Sequence, residues 1–349
     1  MNTWTQPAGS LGIGFLGAGR IGRMHARIVE QRIAGAHVAA VYDVSEAAAR
    51  EVGDGLGVPV AASVDGVLAS PEVDAVAICT STASHADLIV AAAAAGKAVL
   101  CEKPVSLDLD EVDRALAAVE AAGVPFQIGF NRRFDPAHAS VRDAVAAGAI
   151  GEPHLVRISS RDPAPPPLAY VTGSGGLFLD MMIHDFDMAR FVAGSEVVDV
   201  YARGAVRIEP AFAEAGDIDT AVVMLTHANG CLTTIDNSRQ AVYGYDQRVE
   251  VFGSAGMAAS ENPLAHTGVV QTVDGLRAPA LPYFFLERYT ASYVHEWEAF
   301  VAALAAGAPP PVGPQDARAP LVIGLAAWRS LREDRPVRVA EVDTAARTG

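Results

Sequence analysis

The feature that most constrains this chain is a glycine-rich turn near its start. Ile13–Leu16 reads as a buried strand, Gly17-Ala18-Gly19-Arg20-Ile21-Gly22 follows, and a helix begins at once. That order is the opening of a dinucleotide-binding βαβ unit. Gly17 permits the tight turn, Gly19 leaves room for a pyrophosphate, Gly22 lets helix and strand approach, and the helix N-terminus offers N–H groups to the anion. A second strand ends in Tyr42-Asp43, and Asp43 stands 21 residues after Gly22, near the spacing of a carboxylate that holds ribose hydroxyls. Such a carboxylate repels a 2′-phosphate, so the expected cofactor is NAD rather than NADP; Arg50 is the one nearby group that could serve a phosphate instead.

The rest of the first third keeps the βαβ rhythm. Strands are expected at Val38–Tyr42, Ala75–Cys79, Ala98–Cys101 and Phe126–Ile128, with helices between them, giving a doubly wound parallel sheet, a Rossmann domain over residues 1–129. After Asn131 the pattern changes to longer, partly alternating runs: His154–Ser160, Val197–Ile208, Thr220–His227, Cys231–Ser238 and Gln247–Phe252. These predict an α+β domain over residues 130–349 built on a large, mostly antiparallel open sheet, with a helix at Leu177–Val192 and two closing helices. The fold class is therefore α/β followed by α+β. Pro163, Pro165, Pro166 and Pro167, then Gly173, Gly175 and Gly176, predict a loop without helix or strand over Arg161–Gly176.

Composition narrows the function. With 26 basic against 41 acidic residues the net charge is −15, a poor surface for nucleic acid or anionic membrane. No run of about 18 apolar residues occurs, and Met1–Ser10 lacks the basic start and apolar stretch of a signal peptide. Three widely spaced cysteines, Cys79, Cys101 and Cys231, fit a reducing cytoplasm. Lysine is scarce: only Lys97 and Lys103 accompany 24 arginines, so a lysine at a strand end invites a functional reading.

Lys103 lies in Glu102-Lys103-Pro104, where a parallel strand leaves the sheet at its carboxyl edge, the side on which such folds bind ligands. The predicted helix Leu177–Val192 is apolar nearly all round except at Asp180, His184 and Asp187, whose i, i+4, i+7 spacing puts them on one face. Buried carboxylates and imidazoles cost free energy unless paired or used. The pair suits general acid–base chemistry; a structural Asp–His pair and a metal site completed by His154 are the alternatives. No further ligand cluster accompanies it, so no metal is expected.

Taken together, the strand-GxGxxG start, Glu102-Lys103-Pro104, Gly129-Phe130-Asn131-Arg132-Arg133-Phe134-Asp135 and Gly176-Leu177-Phe178-Leu179-Asp180 running to His184-Asp185 resemble the Gfo/Idh/MocA oxidoreductases. The resemblance covers about Gly12 to Phe252, and Tyr243-Gly244-Tyr245-Asp246 is similar to the branch that acts on inositols. It implies metal-free, NAD-dependent oxidation of a ring hydroxyl of a cyclic polyol, myo-inositol first. Scyllo-inositol, another sugar, and a non-catalytic NAD-sensing regulator are the rivals. It further implies Lys103, Asp180 and His184 as catalytic residues, a cis bond before Pro104, and a homotetramer joined through the second domain's sheet. Cofactor contacts are expected from Gly17, Gly19, Arg20, Ile21, Gly22, Asp43, Thr80, Ser81, His85, Glu102 and Lys103, and substrate contacts from Asn131, Arg132, Asp162, Tyr243 and Tyr245. Some members carry histidine and asparagine at the positions of Ser160 and Asp162, which leaves the preferred ring stereochemistry open.

Overall fold

The computed structural model describes residues 9–343; the opening segment read above as lacking a leader lies almost wholly outside them. The chain divides into two compact units, residues 9–131 with 293–319 and residues 132–292 with 320–343. The division read along the sequence had no place for this return of a late segment to the first unit.

In the first unit β1 (Leu11–Leu16) leads through α1 (Arg20–Arg32) to β2 (Ala36–Tyr42), followed by α2 (Glu46–Leu56) and α3 (Val64–Leu68). Then come β3 (Ala75–Ile78), α4 (His85–Ala94), β4 (Ala98–Glu102), α5 (Leu109–Ala122) and β5 (Phe126–Gly129). The strands form a parallel sheet in the order β2-β1-β3-β4-β5. All residues of β1, β3 and β5 are buried, as strands covered on both faces must be. The order reverses between β1 and β3, so a crevice opens at the carboxyl ends there, directly after Gly17 and Cys79.

The second unit begins with α6 (Pro136–Ala146), β6 (Pro153–Arg161), α7 (Leu168–Ser174), α8 (Gly176–Asp180) and α9 (Ile183–Ala193). It continues with β7 (Val197–Ala205), α10 (Ala211–Glu214), β8 (Thr220–His227), β9 (Leu232–Ser238), β10 (Asp246–Gly253) and β11 (Gly256–Ser260). A small hairpin, β12 (Val270–Thr272) and β13 (Gly275–Arg277), and α11 (Phe285–Arg288) precede α12 (Thr290–Ala306), α13 (Pro314–Glu333) and β14 (Val337–Arg338). Seven strands pair in the order β11-β10-β6-β9-β8-β7-β14, antiparallel except for β6 with β9. One face of this sheet packs Val156, Ile158, Val223, Ile235, Val249 and Val251 against α8 and α9.

Two sequence expectations change. The stretch Arg161–Gly176 contains a helix, α7: the four prolines all stop before Leu168, the last at the N-cap where its missing N–H costs nothing, and Gly175 ends the helix with φ +85°. The single helix Leu177–Val192 is two helices. The Leu177 carbonyl accepts from both the Met181 and Met182 N–H groups, a locally widened turn that breaks the register between Asp180 and His184.

Candidate active site

The first unit carries the cofactor half. Gly17 has φ +103°, and a Cβ there would stand 2.6 Å from the Cys79 carbonyl; at Gly22 a Cβ would stand 2.0 Å from the Gly17 oxygen. Both glycines are thus steric requirements of the turn. A Cβ at Gly19 would meet nothing within 4 Å, so this glycine borders open space at the start of α1. No side chain caps that helix and no acid lies in its first turn, which is what a pyrophosphate site needs. Asp43 stands at the end of β2 and accepts the Ala18 N–H at 2.7 Å and the Ser45 N–H at 2.8 Å, one on each oxygen. Its carboxylate is fixed beside the glycine turn, with lone pairs left for ribose hydroxyls. These residues fit NAD: Gly17, Gly19, Arg20, Ile21 and Gly22 would line the pyrophosphate, and Asp43 would meet the ribose.

Thr80 and Ser81 follow β3 at the same edge, and Lys103 follows β4. The Lys103–Pro104 bond is cis. His85, expected as a cofactor contact, lies between two loops of this edge. It is buried, its Nδ1 lies 2.8 Å from the Pro104 carbonyl and its Nε2 3.1 Å from that of Thr80. Burial lowers its pKa, and a neutral imidazole donates to one of these two carbonyls, so the ring sits packed between two loops. Asn131, buried two residues beyond β5, has an Nδ2 with no hydrogen-bond partner among the described residues.

The second unit carries a polar patch set into its apolar core. Strand register places Gln247, Ser160 and Asn237 side by side across β10, β6 and β9. All three are buried; Ser160 and Asn237 meet Arg132 and Asp185, and Gln247 accepts from the Ser160 hydroxyl at 2.9 Å. Arg132 donates to Asp185 at 2.7 Å, to the Ser160 hydroxyl at 3.3 Å and to the Tyr245 hydroxyl at 3.4 Å, and Asn237 donates to the other Asp185 oxygen at 2.9 Å. Burial raises the pKa of Asp185 against the pull of Arg132. Burial likewise pushes Asp162 up to about 6, opposed by Arg239 and Arg132 and reinforced by Asp180 and Asp185.

Along Ile183–Ala193 every residue is buried except His184 and Phe191, and Asp180 is likewise half-buried at the end of a buried segment. Asp180 accepts from the Tyr170 hydroxyl at 2.8 Å and from Arg239, itself buried, at 3.4 Å. Asp187 has a partner of its own. It is buried and accepts two bonds from Arg133, at 2.6 and 2.8 Å; the widened turn shifts Asp180, in α8, out of register with His184 and Asp187, both in α9. Among the described residues no group of three His, Cys, Asp or Glu side chains is arranged to hold a metal ion.

Of the five expected substrate contacts, Arg132, Asp162 and Tyr245 belong to this patch. Tyr243 does not. Half-exposed, it donates to Asp246 and accepts from Arg161 at 2.9 Å, on the side of the sheet where Arg161 pairs with Asp236. Tyr170, Asp185 and Arg239 join the patch without having been singled out as site residues. Their partners lie 10, 53 and 59 residues away, so no local spacing announces them.

Comparison with known proteins agrees with both halves. Residues 11–130 match a model described as an oxidoreductase family, NAD-binding Rossmann fold, and residues 138–259 match the GFO/IDH/MocA C-terminal domain. The chain is 48% identical over 331 residues to the myo-inositol 2-dehydrogenase of Thermotoga maritima, covering 95% of this chain and 99% of that one. It is 46% identical to the inositol 2-dehydrogenase of Rhizobium meliloti, covering 94% and 98%. A crystal structure of scyllo-inositol dehydrogenase from Lactobacillus casei, with bound NAD(H) and scyllo-inositol, superposes with a TM-score of 0.89 at 30% identity over 95% of this chain and 99% of that one.

Proposed function

The chain belongs to the GFO/IDH/MocA oxidoreductase family, and on that footing we propose that it is an NAD-dependent dehydrogenase that oxidises one ring hydroxyl of a cyclic polyol, myo-inositol ahead of its scyllo isomer, to a ketone. The observation that carries this is the polar patch. Asp162, Asp180 and His184 are half-buried beside a fully buried base of Arg132, Asp185 and Asn237. A substrate that presents hydroxyls on every side needs such an array of fixed donors and acceptors.

NAD, when bound, supplies the acceptor for the hydrogen lost from the carbinol carbon. The chain's own residues handle the proton. We assign His184 as the base that takes the hydroxyl proton, Asp180 as the carboxylate that orients the imidazole and stabilises its charged form, and Lys103 as a hydrogen-bond donor to the reacting oxygen. Tyr170 and Arg239 fix Asp180 for that task. Arg132, Asp162, Tyr245 and Asn131 are assigned to the ring hydroxyls. Incubation with NAD and a panel of inositols, sugars and aminosugars, following reduced nicotinamide by absorbance, tests this reading; it expects myo-inositol to be the best substrate of the panel.

The other face of the seven-stranded sheet supports assembly. Register aligns Met257, Phe252, Leu155 and Leu232 in one row across β11, β10, β6 and β9, each 38–57% exposed. Val222 and Met224 add to it. An apolar row of this kind suits a symmetric contact, a homotetramer, which light scattering on the wild type and Phe252→Glu checks. Its three unpaired thiols suit the cytoplasm. No helix among the described residues is long and apolar enough to cross a membrane.

A further inference from the structure

The first unit contains a buried chain of hydrogen bonds that the chemistry above does not use. The Trp297 indole donates to His25 Nδ1 at 2.8 Å, His25 Nε2 lies 2.8 Å from Glu102 Oε1, and Glu102 Oε2 accepts the Lys103 N–H at 3.3 Å. Trp297 and His25 are both completely buried, and the His25 ring meets Tyr293 edge-on. An indole N–H can only donate, so Nδ1 must be the acceptor and the imidazole proton must sit on Nε2. His25 is thereby locked as a neutral donor aimed at Glu102. On the far side of the same turn His85 Nδ1 holds the Pro104 carbonyl. The backbone at Lys103 and Pro104 is gripped from two sides by two buried histidines.

A second observation marks this as more than packing. Glu296, next to Trp297, is completely buried, and neither carboxyl oxygen has a hydrogen-bond partner among the described residues. Burial and the charge of Glu102 raise its pKa well above the ordinary glutamate value. A packing device alone gives no reason to keep a carboxylate beside an orphaned acid, since apolar residues of equal volume would be at least as stable.

We propose that His25, its tautomer set by Trp297, is a positioning residue for the oxidation: through Glu102 it fixes the backbone from which Lys103 reaches the reacting oxygen. The inference rests on the reading of Lys103 given above. Its role differs from that of the glycine turn on the same helix, because it acts on the lysine and not on the cofactor.

Nitrogen NMR of the cofactor-free, histidine-labelled protein, with His25 assigned by the signal lost in His25→Gln, reads the tautomer directly. The expected result is a protonated Nε2 and an unprotonated Nδ1 for His25, and loss of that preference in Trp297→Phe. In turnover of myo-inositol, His25→Leu and Trp297→Phe should lower kcat by about tenfold or more, the scale of a small misplacement of a catalytic group. NAD affinity by fluorescence should fall by less than kcat does, as both variants leave the pyrophosphate turn intact. His25→Gln, which keeps a donor toward Glu102, should recover most of the rate. Protonation at Nδ1 in the wild type overturns the proposal, as does normal kcat in folded Trp297→Phe and His25→Leu, or a rate loss that follows melting temperature with no recovery in His25→Gln. A wild type that oxidises no polyol defeats the functional reading instead, and the tautomer result then decides the hydrogen-bond chain by itself.

Discussion

Asp185 and Arg132 form a buried ion pair 2.7 Å apart, which Ser160, Asn237 and Tyr245 surround with further hydrogen bonds. Removing one partner leaves an uncompensated charge in the core. Asp185→Ala should destabilise the fold by about 3–5 kcal/mol, read from urea unfolding. The double variant Asp185→Leu, Arg132→Met should lose less than Asp185→Ala while abolishing polyol oxidation. A loss below about 1 kcal/mol in Asp185→Ala would place the pair in solvent.

Asp162 sets a pH dependence whose sign can be worked out. Burial raises its carboxyl from 3.8 to about 6, so between those values the folded protein holds a proton that the unfolded chain has released. The stability this contributes is complete below the lower value and is lost as pH rises to the upper one. Urea midpoints should therefore fall across that window in the wild type and be flatter in Asp162→Asn. Identical slopes for the two proteins would contradict the burial of Asp162.

How far such a site can be read from sequence depends on how local its determinants are. The cofactor half was legible because Gly17, Gly19, Gly22 and Asp43 act through a turn, a helix start and a strand end that neighbouring residues specify. In the substrate half Arg132 finds Asp185 across 53 positions, and Gln247, Ser160 and Asn237 meet only through strand register. Alternation reveals that a strand has two faces, not which strand lies beside it. The separation of Tyr243 from Tyr245 has a different cause: the two flank Gly244, which closes a turn onto Ala241 with φ +124°, so the two-residue alternation of a strand does not apply there. The break at Met181-Met182 carries no glycine or proline, and so Asp180 was read in one unbroken register with His184 and Asp187. The prolines before Leu168 were read as excluding a helix when they mark its start.

Asp43 bears on cofactor choice. Asp43→Ala should raise the apparent KM for NAD by about tenfold, equivalent to roughly 1.4 kcal/mol, and narrow the preference for NAD over NADP. Because Asp43 also holds the Ala18 N–H, Asp43→Asn, which keeps an acceptor, separates the ribose contact from the turn. Unchanged cofactor preference in both variants would remove Asp43 from the ribose site.

The two groups assigned to the proton should behave alike at first and then differ. His184→Ala and Lys103→Ala should each lower kcat by about two to four orders of magnitude, with NAD binding little changed. Lys103→Arg keeps the charge but cannot release a proton in the working pH range. Turnover near normal in Lys103→Arg would make the lysine an electrostatic anchor and leave the proton to His184. Turnover as low as in Lys103→Ala would give Lys103 a share in proton transfer or a strict geometric role.

The central claim is that this protein moves a hydrogen from a ring carbon of myo-inositol to NAD. Myo-inositol carrying deuterium at the carbon of its axial hydroxyl, incubated with NAD and the protein in the presence of a chelator, tests it most directly by mass spectrometry of both products. The account predicts one deuterium in the reduced nicotinamide for every ketone formed, with no added metal required. NAD bound without any reduced product, or a rate that disappears with the chelator and returns with zinc, would contradict it.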